Sequence, residues 1–472
     1  MTRFPIPAVW VEERRWSPAE LGGAAAAWRA RVRAEAPAGG PLIAAVLGND
    51  VEAITLLLAL APLPWSVVLL GSDPRTWRSA PPLSGDTPIV LTPRWASLAG
   101  AVAERGHPVI ALPPDPRGPG ETTVEWSLPG MVGFTSGSTG LPKPVYRRGP
   151  TILQSARASA AALGLGAGDH TIGVLPLATL HAVATTLLHA LVFGADAALL
   201  ERFDHRALLA LFATGRYAYL SCTPIMAAAV ARCPLGGPAP PAPRVVRVSA
   251  GALPRDVFDL FLRRFGVPLR PAWGSTEGGV MTVEGRAAGE LRPDGVGLAV
   301  PGVVVRVGDD PARPAAAGEV GRVWYRSDQH MVGYGFPPDV EPAEQDDGWF
   351  PSGDHGALDA HGCLVLAGRV DDSFKTPGGH LVSPGEIVAT LSRCPGVRAV
   401  EVLPLARPLG ADIGVLIEGV EVSQEAVRAH AAASLPAWAQ PQALRVVAAI
   451  PRTAHGKVDQ LACRDLLAAG PA

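Results

Sequence analysis

The run GFTSGSTGLPKP, residues 133–144, constrains this chain more than any other part of the sequence. Seven of its twelve residues are Gly, Ser or Thr. These residues expose backbone N–H groups or offer hydroxyls, so a loop of them can surround an anion closely, and Lys143 adds a positive charge. The common nucleotide loop G-x-x-x-x-G-K-[ST] is excluded, because Lys143 follows no glycine directly and no hydroxyl follows it. The run predicts a phosphate-binding loop of another type, with a plain Ser/Gly linker as the alternative.

The composition predicts more than one domain and argues against several functions. A chain of 472 residues exceeds the size that one hydrophobic core usually supports. The 41 basic and 43 acidic residues nearly balance and no long basic run is present, which argues against a nucleic-acid partner. The cysteines are odd in number, widely spaced and without a C-x-x-C pair, so neither disulfides nor a zinc site is expected. A reducing cytoplasm fits these five residues: Cys222, Cys233, Cys363, Cys394 and Cys463.

The sequence predicts neither an export signal nor a membrane span. The N-terminal run MTRFPIPAVWVEERRW carries charges where a signal peptide needs an apolar segment. The most apolar window, residues 51–71, contains Glu52, Pro62 and Pro64. Because the prolines interrupt a helix, this window is expected to form two shorter elements of a folded domain.

Short apolar runs alternate with helical patterns before residue 214, which is typical of a parallel sheet covered by helices. The first helix is expected to begin after Ser17, with Glu20 completing a capping box. The predicted helices are 18–36, 51–60, 95–105, 151–163, 182–192 and 206–213, and the predicted strands are 42–47, 65–70, 88–91, 108–112, 171–175 and 197–200.

The pattern changes in the last third of the chain. After residue 301, short β-like runs are broken by glycines, which indicates a smaller β-rich subdomain. The final hundred or so residues again combine strand patterns with a helix over 423–434, enough for a separate α+β domain. We therefore predict an α/β fold, with a large N-terminal domain over residues 1–370 and a small, mobile C-terminal domain over residues 371–472.

The segment RPAWGSTEGG places three useful groups in one tight turn. Trp273 offers an aromatic face, Thr276 a hydroxyl and Glu277 a carboxylate. An aromatic ring can stack on a nucleobase, a hydroxyl can bind a phosphate, and a carboxylate can hold Mg²⁺. An S-T-E triplet alone would be unremarkable, so this turn gains weight only beside the phosphate-binding run.

Two later stretches also contain groups suited to a nucleotide. Asp354 lies fifteen residues before Arg369, and a β-hairpin predicted between them would bring the two together. Such a carboxylate can accept both ribose hydroxyls, and the guanidinium can reach ribose or phosphate. Near the C-terminus, Lys457 follows Gly456 in a predicted exposed loop, where taken alone it would be ordinary surface charge.

These motifs resemble, in order and spacing, those of the acyl-adenylate-forming superfamily, which includes acyl-CoA and aryl-CoA ligases, peptide-synthetase adenylation domains and luciferases. The resemblance covers residues 131–459. The resemblance implies that the phosphates of ATP or AMP are held by Thr135, Ser136, Gly137, Ser138, Thr139 and Gly140. It implies that the adenine is held by Trp273 and Gly274 together with Gly251 and Ala252. It also implies that the ribose is held by Asp354 and Arg369. It implies as catalytic residues Lys143, Thr276 on the α-phosphate, Glu277 on Mg²⁺ and the adenylation lysine Lys457, with Asp371 as the hinge.

The sequence departs from the superfamily's usual pattern in four places. Ser352 stands where threonine commonly precedes Gly-Asp, and Pro144 replaces a common glycine. The run KTPGGHLV is one residue longer than usual, so either Gly378 or Gly379 takes the position that faces coenzyme A. The segment before the phosphate loop is shorter than in most relatives, which leaves the packing of the N-terminal subdomain and its dimer contacts open.

The resemblance implies that a carboxylic acid is activated by ATP to an acyl-adenylate, with release of pyrophosphate, and then passed to a thiol, coenzyme A. Carboxylate and α-phosphate are both anions, so the site must supply positive charge and in-line geometry. Mg²⁺, Lys143 and Lys457 would supply that charge. A swing of the C-terminal domain about Asp371 would let one cleft serve both steps.

The identity of the acid is less constrained. The segment LPLATLHAVATTLLHAL lacks the aspartate that α-amino-acid-activating relatives usually carry, so an α-amino acid is disfavoured. His181 resembles the residue that gates the acyl pocket, with a structural histidine as the alternative, and His189 is expected in the core or at its rim. Gly278 and Gly279 would leave space for an aryl or medium-length acyl group.

Three other functions stay open at this stage. The same residues could load a carrier-protein thiol or close a β-lactone from a hydroxy acid. A protein that binds nucleotide without catalysis is the alternative of a different class, and the presence of Lys457, Glu277, Asp354 and Arg369 argues against it. The oligomeric state is not indicated by the sequence.

Overall fold

The computed structural model describes residues 2–37, 40–73, 83–114, 120–135, 142–287, 290–291, 294–369, 374–377, 381–382, 384–407, 410–452 and 458–468. The chain divides into two compact units. The first contains Met1–Val304 and Arg326–Phe350, and the second contains Val305–Tyr325 and Pro351–Ala472. The domain boundary predicted near Asp371 lies outside the described residues and stays a prediction.

The first unit contains two large sheets, each with a block of neighbouring parallel strands and with antiparallel strands beside that block. The eight-stranded sheet has the order Asp339–Pro342, Gly333–Phe336, Pro144–Arg148, Gly130–Phe134, Ser66–Gly71, Leu42–Leu47, Ile89–Leu91 and Val109–Ala111. The nine-stranded sheet has the order Leu298–Ala299, Gly279–Val283, Leu269–Ser275, Val245–Val248, Tyr219–Cys222, Thr171–Gly173, Ala197–Leu199, Val9–Val11 and Arg14–Trp16. A short ladder joins Arg3–Pro5 to Thr123–Glu125.

Helices follow the strands in alternation, as the sequence pattern predicts. Ser17 and Glu20 form the predicted capping box at the start of the first helix. Eight of the ten residues of Val51–Leu60 are buried, so the apolar window that begins there is core and not a bilayer span. The helices of this unit are Pro18–Glu35, Val51–Leu60, Ala99–Ala103, Gly149–Ala162, Leu180–Ala182, His189–Phe193, His205–Ala213, Pro224–Arg232 and Arg255–Phe265, with a 3-10 helix at Pro93–Leu98 and a π-helix at Val183–Leu188.

The second unit has its own sheets and core. A four-stranded sheet, most of which belongs to this unit, has the order Val303–Val307, Gly321–Ser327, Phe350–Leu358 and Leu364–Arg369. It corresponds to the β-rich subdomain that the sequence predicts. The remaining elements are the paired strands Phe374–Lys375 and Leu381–Val382, the sheet Val397–Arg407, Gly410–Gly419 and Ala443–Val447, the helices Pro384–Leu391, Gln424–Ser434 and Gln460–Ala468, and the 3-10 helix Ala437–Ala439.

A search of the described helices for a membrane span found no segment of sufficient length and apolar character. The five cysteines are buried and none forms a disulfide, as the sequence predicts.

Candidate active site

The base of the predicted phosphate loop is a β-hairpin stem. Strand Gly130–Phe134 runs antiparallel to Pro144–Arg148. Beyond their last pair, the Thr135 N–H donates to the Lys143 carbonyl at 3.0 Å, and the Lys143 N–H donates to Thr135 Oγ1 at 3.1 Å. These two hydrogen bonds fix Lys143 at the edge of the loop. The other predicted phosphate-binding residues lie outside the described part of the chain: Ser136, Gly137, Ser138, Thr139 and Gly140.

Thr276 and Glu277 occupy a tight turn between strands Leu269–Ser275 and Gly279–Val283. Ser275 Oγ accepts the Gly278 N–H at 3.0 Å, and the Glu277 carbonyl accepts the Met331 N–H at 2.8 Å. The turn is therefore held at both ends, and the Glu277 side chain is only half-buried. The predicted carboxylate thus has a fixed backbone and access to solvent.

Tyr334 connects Glu277 with Lys143. Its hydroxyl donates to Glu277 Oε1 at 3.2 Å, and the Lys143 Nζ lies 5.3 Å from the centre of its ring. The geometry follows from the sheet, in which Tyr334 lies opposite Val145, two residues after Lys143. Burial and the Glu277 charge raise the pKa of Tyr334, so its hydroxyl stays protonated and acts as a donor.

Tyr334 was not predicted from the sequence. It lies in a G-Y-G run that carries no chemical signature of its own, 57 residues from Glu277. Only the pairing of strand Gly333–Phe336 with Pro144–Arg148 places it beside the phosphate loop.

Gly133 brings the loop, the turn and a third element together. A Cβ built on Gly133 would lie 2.9 Å from Leu180 Cγ and 3.6 Å from Thr276 Cγ2. A side chain here would displace Leu180, so the glycine permits the close approach of that residue, whereas the distance to Thr276 is an ordinary van der Waals contact. Thr276 and the start of helix Leu180–Ala182 therefore border the strand that leads into the phosphate loop.

His181 lies at the centre of a polar cluster on the nine-stranded sheet. Its Nε2 is 3.2 Å from Ser221 Oγ, 3.4 Å from Arg247 Nη1 and 3.5 Å from Ser249 Oγ. Burial, with a contribution from the Arg247 charge, lowers the pKa of His181 to about 3. The imidazole is therefore neutral at physiological pH, and its Nε2 accepts a hydrogen bond from the guanidinium. Its gating role stays a prediction.

His189 is a core residue, as the sequence analysis expects. Its side chain is 2% exposed, its Nε2 is 2.9 Å from the Asp169 carbonyl oxygen, and its ring contacts Phe193 and Tyr219.

The predicted adenine-binding residues lie on two neighbouring strand ends. Trp273 is 6% exposed and lies opposite Thr282. Gly274 is required by packing, since a Cβ there would lie 2.2 Å from the Gly279 carbonyl oxygen. Gly251 and Ala252 are exposed and follow strand Val245–Val248. Contact of these residues with adenine stays a prediction.

The two glycines predicted to line the acyl pocket have different surroundings. Gly278 is buried in the turn. Gly279 has φ of 73°, and a Cβ there would lie 2.6 Å from Ser155 Oγ and 2.7 Å from Arg147 Nη2. The backbone conformation and this close approach both require glycine at 279. The space that the absent side chain leaves is thus bordered by polar groups.

Asp354 and Arg369 are paired within the second unit. They lie opposite each other in the hairpin of Phe350–Leu358 and Leu364–Arg369, as predicted, with Arg369 Nη1 3.3 Å from Asp354 Oδ1. Ser352 Oγ accepts the Asp354 N–H at 3.0 Å and donates to the Val323 carbonyl at 2.8 Å. The Ser352 hydroxyl therefore positions Asp354, and serine suffices where threonine is common.

Four further predicted site residues lie outside the described part of the chain: Asp371, Gly378, Gly379 and Lys457. Their roles stay predictions.

Comparisons with known proteins agree with this geometry. The family model described as AMP-binding enzyme matches residues 93–335, more than half of the chain. The chain is 28% identical over 382 residues to the sulfoacetate–CoA ligase of Cupriavidus necator, covering 80% of this chain and 73% of that protein. It is 28% identical over 348 residues to the 3-hydroxybenzoate–CoA/4-hydroxybenzoate–CoA ligase of Thauera aromatica, covering 71% and 66%.

Among solved structures, the ATP-bound MatB of Rhodopseudomonas palustris matches with a TM-score of 0.84 at 21% identity, covering 98% of this chain and 96% of that one. This similarity confirms the predicted α/β fold. The family match confirms the resemblance found in the sequence, and the chain belongs to the AMP-binding enzyme family.

Proposed function

We propose that this protein joins a carboxylic acid, other than an α-amino acid, to coenzyme A through an acyl-adenylate. A carboxylate oxygen attacks the α-phosphorus of ATP, and the bond to pyrophosphate breaks. The thiol of coenzyme A then attacks the acyl carbon, the bond to AMP breaks, and the thiol proton is lost. The observation that carries the proposal is the Lys143–Tyr334–Glu277 arrangement at the base of the phosphate loop, in a chain of this family.

The first step requires positive charge, because both reactants are anions. Lys143 is exposed at the loop base, where its charge would favour the departing pyrophosphate. Thr276, beside Gly133, would donate its hydroxyl to the α-phosphate. Lys457, by the family resemblance, would bridge the acyl oxygen and the α-phosphate during adenylation.

The residues around Glu277 fit Mg²⁺. Glu277 offers a carboxylate with one oxygen fixed by Tyr334, and the described residues contain no group of three or more His, Cys, Asp or Glu that could cage a metal by themselves. One carboxylate together with substrate phosphates is the usual way in which proteins bind Mg²⁺. The ion would neutralise charge on the phosphates, and Tyr334 would keep the carboxylate oriented toward it.

Asp354 would accept the ribose hydroxyls, with Arg369 beside it. The backbone and Ser352 hold Asp354 in place, and its side chain is 13% exposed, so little reorganisation is needed for binding. Asp371 would be the hinge of the C-terminal domain, and Gly378 or Gly379 would face coenzyme A.

Coenzyme A is the proposed acceptor because the curated relatives are named as CoA ligases. A carrier-protein thiol is the second acceptor to test, and β-lactone formation from a hydroxy acid and nucleotide binding without catalysis are further alternatives. The five buried thiols support a reducing, cytoplasmic setting.

The proposal is tested by measuring pyrophosphate release with ATP, Mg²⁺ and a panel of carboxylic acids, followed by mass spectrometry of the products. We expect an acyl-adenylate without an acceptor and an acyl-CoA with coenzyme A. Parallel reactions with a carrier protein and with a hydroxy acid alone separate the alternatives. Binding of ATP without pyrophosphate release from any acid would contradict a catalytic function.

A further inference from the structure

Arg247 is a buried charged residue near the carboxyl end of an inner strand of the nine-stranded sheet. Its side chain is 2% exposed, and it is the last residue but one of strand Val245–Val248. The neighbouring parallel strand places Ser221 beside it. Ligands of open α/β sheets bind outside the carboxyl ends of the parallel strands, which is where Arg247 lies.

The Arg247 guanidinium lacks the partners that a buried charge normally has. Its Nη1 contacts the neutral His181, and its Nε has no hydrogen-bond partner. None of the carboxylates in the described part of the chain forms an ion pair with it. The desolvation of an unpaired cation is costly, so such groups are usually paired.

Two other charged groups in the first unit, Glu284 and Arg270, do have partners. Glu284, which is fully buried, pairs with Arg286. Arg270, opposite Arg247 on the next strand, donates to the carbonyls of Glu284 and Arg286. Arg247 therefore differs from both of these in having no acceptor oxygen.

The groups around Arg247 form a donor set suited to an anion. Ser221 and Ser249 are buried hydroxyls, and both face the same His181 nitrogen as the guanidinium. His181 is the half-buried member of the cluster, whereas the other three residues are buried. A guanidinium with two hydroxyls matches the two oxygens of a carboxylate or sulfonate.

This cluster adjoins the proposed adenylation site. Leu180, the residue before His181, lies against Gly133, which also borders Thr276. An acid with its reacting carboxylate near Thr276 could therefore extend its other end toward His181.

We infer that Arg247, with Ser221 and Ser249, binds a second anionic group of the acid substrate, a carboxylate or a sulfonate. The inference rests on the proposed function and names its substrate class: acids that carry a second negative charge. It agrees with the name of one relative, a sulfoacetate–CoA ligase, because sulfoacetate carries a carboxylate and a sulfonate.

The test compares acids that match in shape and differ in charge. The pairs are sulfoacetate with sulfamoylacetate, succinate with succinamate, and isophthalate with its monoamide. We expect the full-length protein to prefer the doubly charged member of at least one pair by about 100-fold or more in kcat/KM for pyrophosphate release, because a site built for a polar group discriminates strongly against an analogue that lacks it. The first pair reports on a sulfonate and the other two on a carboxylate.

Arg247→Met should remove this preference, and Arg247→Lys should keep part of it. Arg270→Met is the matched control on the neighbouring strand and should leave the ratio within each pair unchanged. Equal or better use of the neutral acids by the wild-type protein would overturn the inference, even if the Arg247 variants do not fold.

Calorimetric binding of the three dianions in the absence of turnover keeps this inference separate from the proposed function. If no acid releases pyrophosphate, the proposed function fails. Binding of a dianion by the wild type that is lost in Arg247→Met would still support the inference that Arg247 binds an anionic group. Absence of binding by every dianion would overturn it.

Discussion

The Tyr334 hydroxyl donates a hydrogen bond of 3.2 Å to Glu277 Oε1, and the same tyrosine ring lies 5.3 Å from the Lys143 ammonium. One side chain thus contacts both the proposed metal-binding carboxylate and the proposed phosphate-binding cation. Because burial and Glu277 raise the pKa of Tyr334, this donor does not ionise near neutral pH.

Tyr334→Phe isolates the hydrogen bond, since phenylalanine keeps the aromatic face toward Lys143. We expect the KM for MgATP to rise about 2- to 10-fold, the scale of one hydrogen bond. Steady-state kinetics at varied MgATP measures this change. Tyr146→Phe is the matched control, because Tyr146 is also half-buried and its hydroxyl bonds Ser66. An unchanged KM in Tyr334→Phe would show that the hydrogen bond has no part in nucleotide binding.

Asp354→Ala should raise the KM for ATP by about tenfold or more, because a ribose bonded through two hydroxyls loses both acceptors. Its stability should change little: the partner Arg369 is 44% exposed, and exposed ion pairs contribute about 0–1 kcal/mol. ATP-dependent kinetics and thermal unfolding test the two statements separately. Asp310→Ala, which removes the exposed pair with Arg313 in the same unit, serves as the control. Equal KM values for ATP in both variants would show that Asp354 does not bind the ribose.

Lys457→Ala should lose adenylate formation from acid and ATP yet still pass a supplied acyl-adenylate to coenzyme A. The lysine is needed only where charge develops in the first step, so the two half-reactions should separate. Single-turnover assays of each half-reaction measure this. An equal loss in both would contradict the role implied by the family resemblance.

The lowered pKa of His181 predicts a loss of stability in acid. The unfolded chain protonates this imidazole near pH 6.5, whereas the native state does so at about pH 3. The unfolded state therefore binds more protons between these values, and stability falls as pH falls through the window. At pH 4.5, this effect lowers the free energy of unfolding of the wild type by at most about 2.7 kcal/mol. His181→Gln should not show this loss.

Denaturant unfolding at pH 7.5 and pH 4.5 tests this expectation. His361→Gln, which makes the same substitution at an exposed histidine, is measured beside it as the control. Identical pH dependence in His181→Gln and the wild type would show that the His181 imidazole is not held neutral in the native state.

Local features could be predicted from the sequence because their causes are local. The Ser17–Glu20 capping box needs residues three apart. The pairing of Asp354 with Arg369 needs only a hairpin between them. The alternation of strands and helices likewise follows from short-range hydrophobic patterns.

The contacts of Tyr334 and Arg247 could not be predicted, because strand order and register bring distant segments together. His181, on the short helix Leu180–Ala182, and Arg247, on strand Val245–Val248, are 66 residues apart in the chain and become neighbours only in the folded structure. Helix geometry was also only partly predictable. The segment expected to be helical over 95–105 forms a 3-10 helix at Pro93–Leu98 and a short α-helix at Ala99–Ala103.

The π-helix Val183–Leu188 separates His181 from His189 and makes the number of residues between them matter. A π-helical turn accommodates one residue more than an α-helical turn. Deleting one residue from this segment would restore α-helical geometry and leave Leu180–Ala182 close to its present orientation relative to His189–Phe193, whereas deleting a second residue would rotate it by about 100°. After the second deletion, His181 would turn away from Arg247 although no side chain of the cluster had changed. The number of residues in this helix thus affects the position of His181 beside Arg247 as directly as the identity of the side chains does.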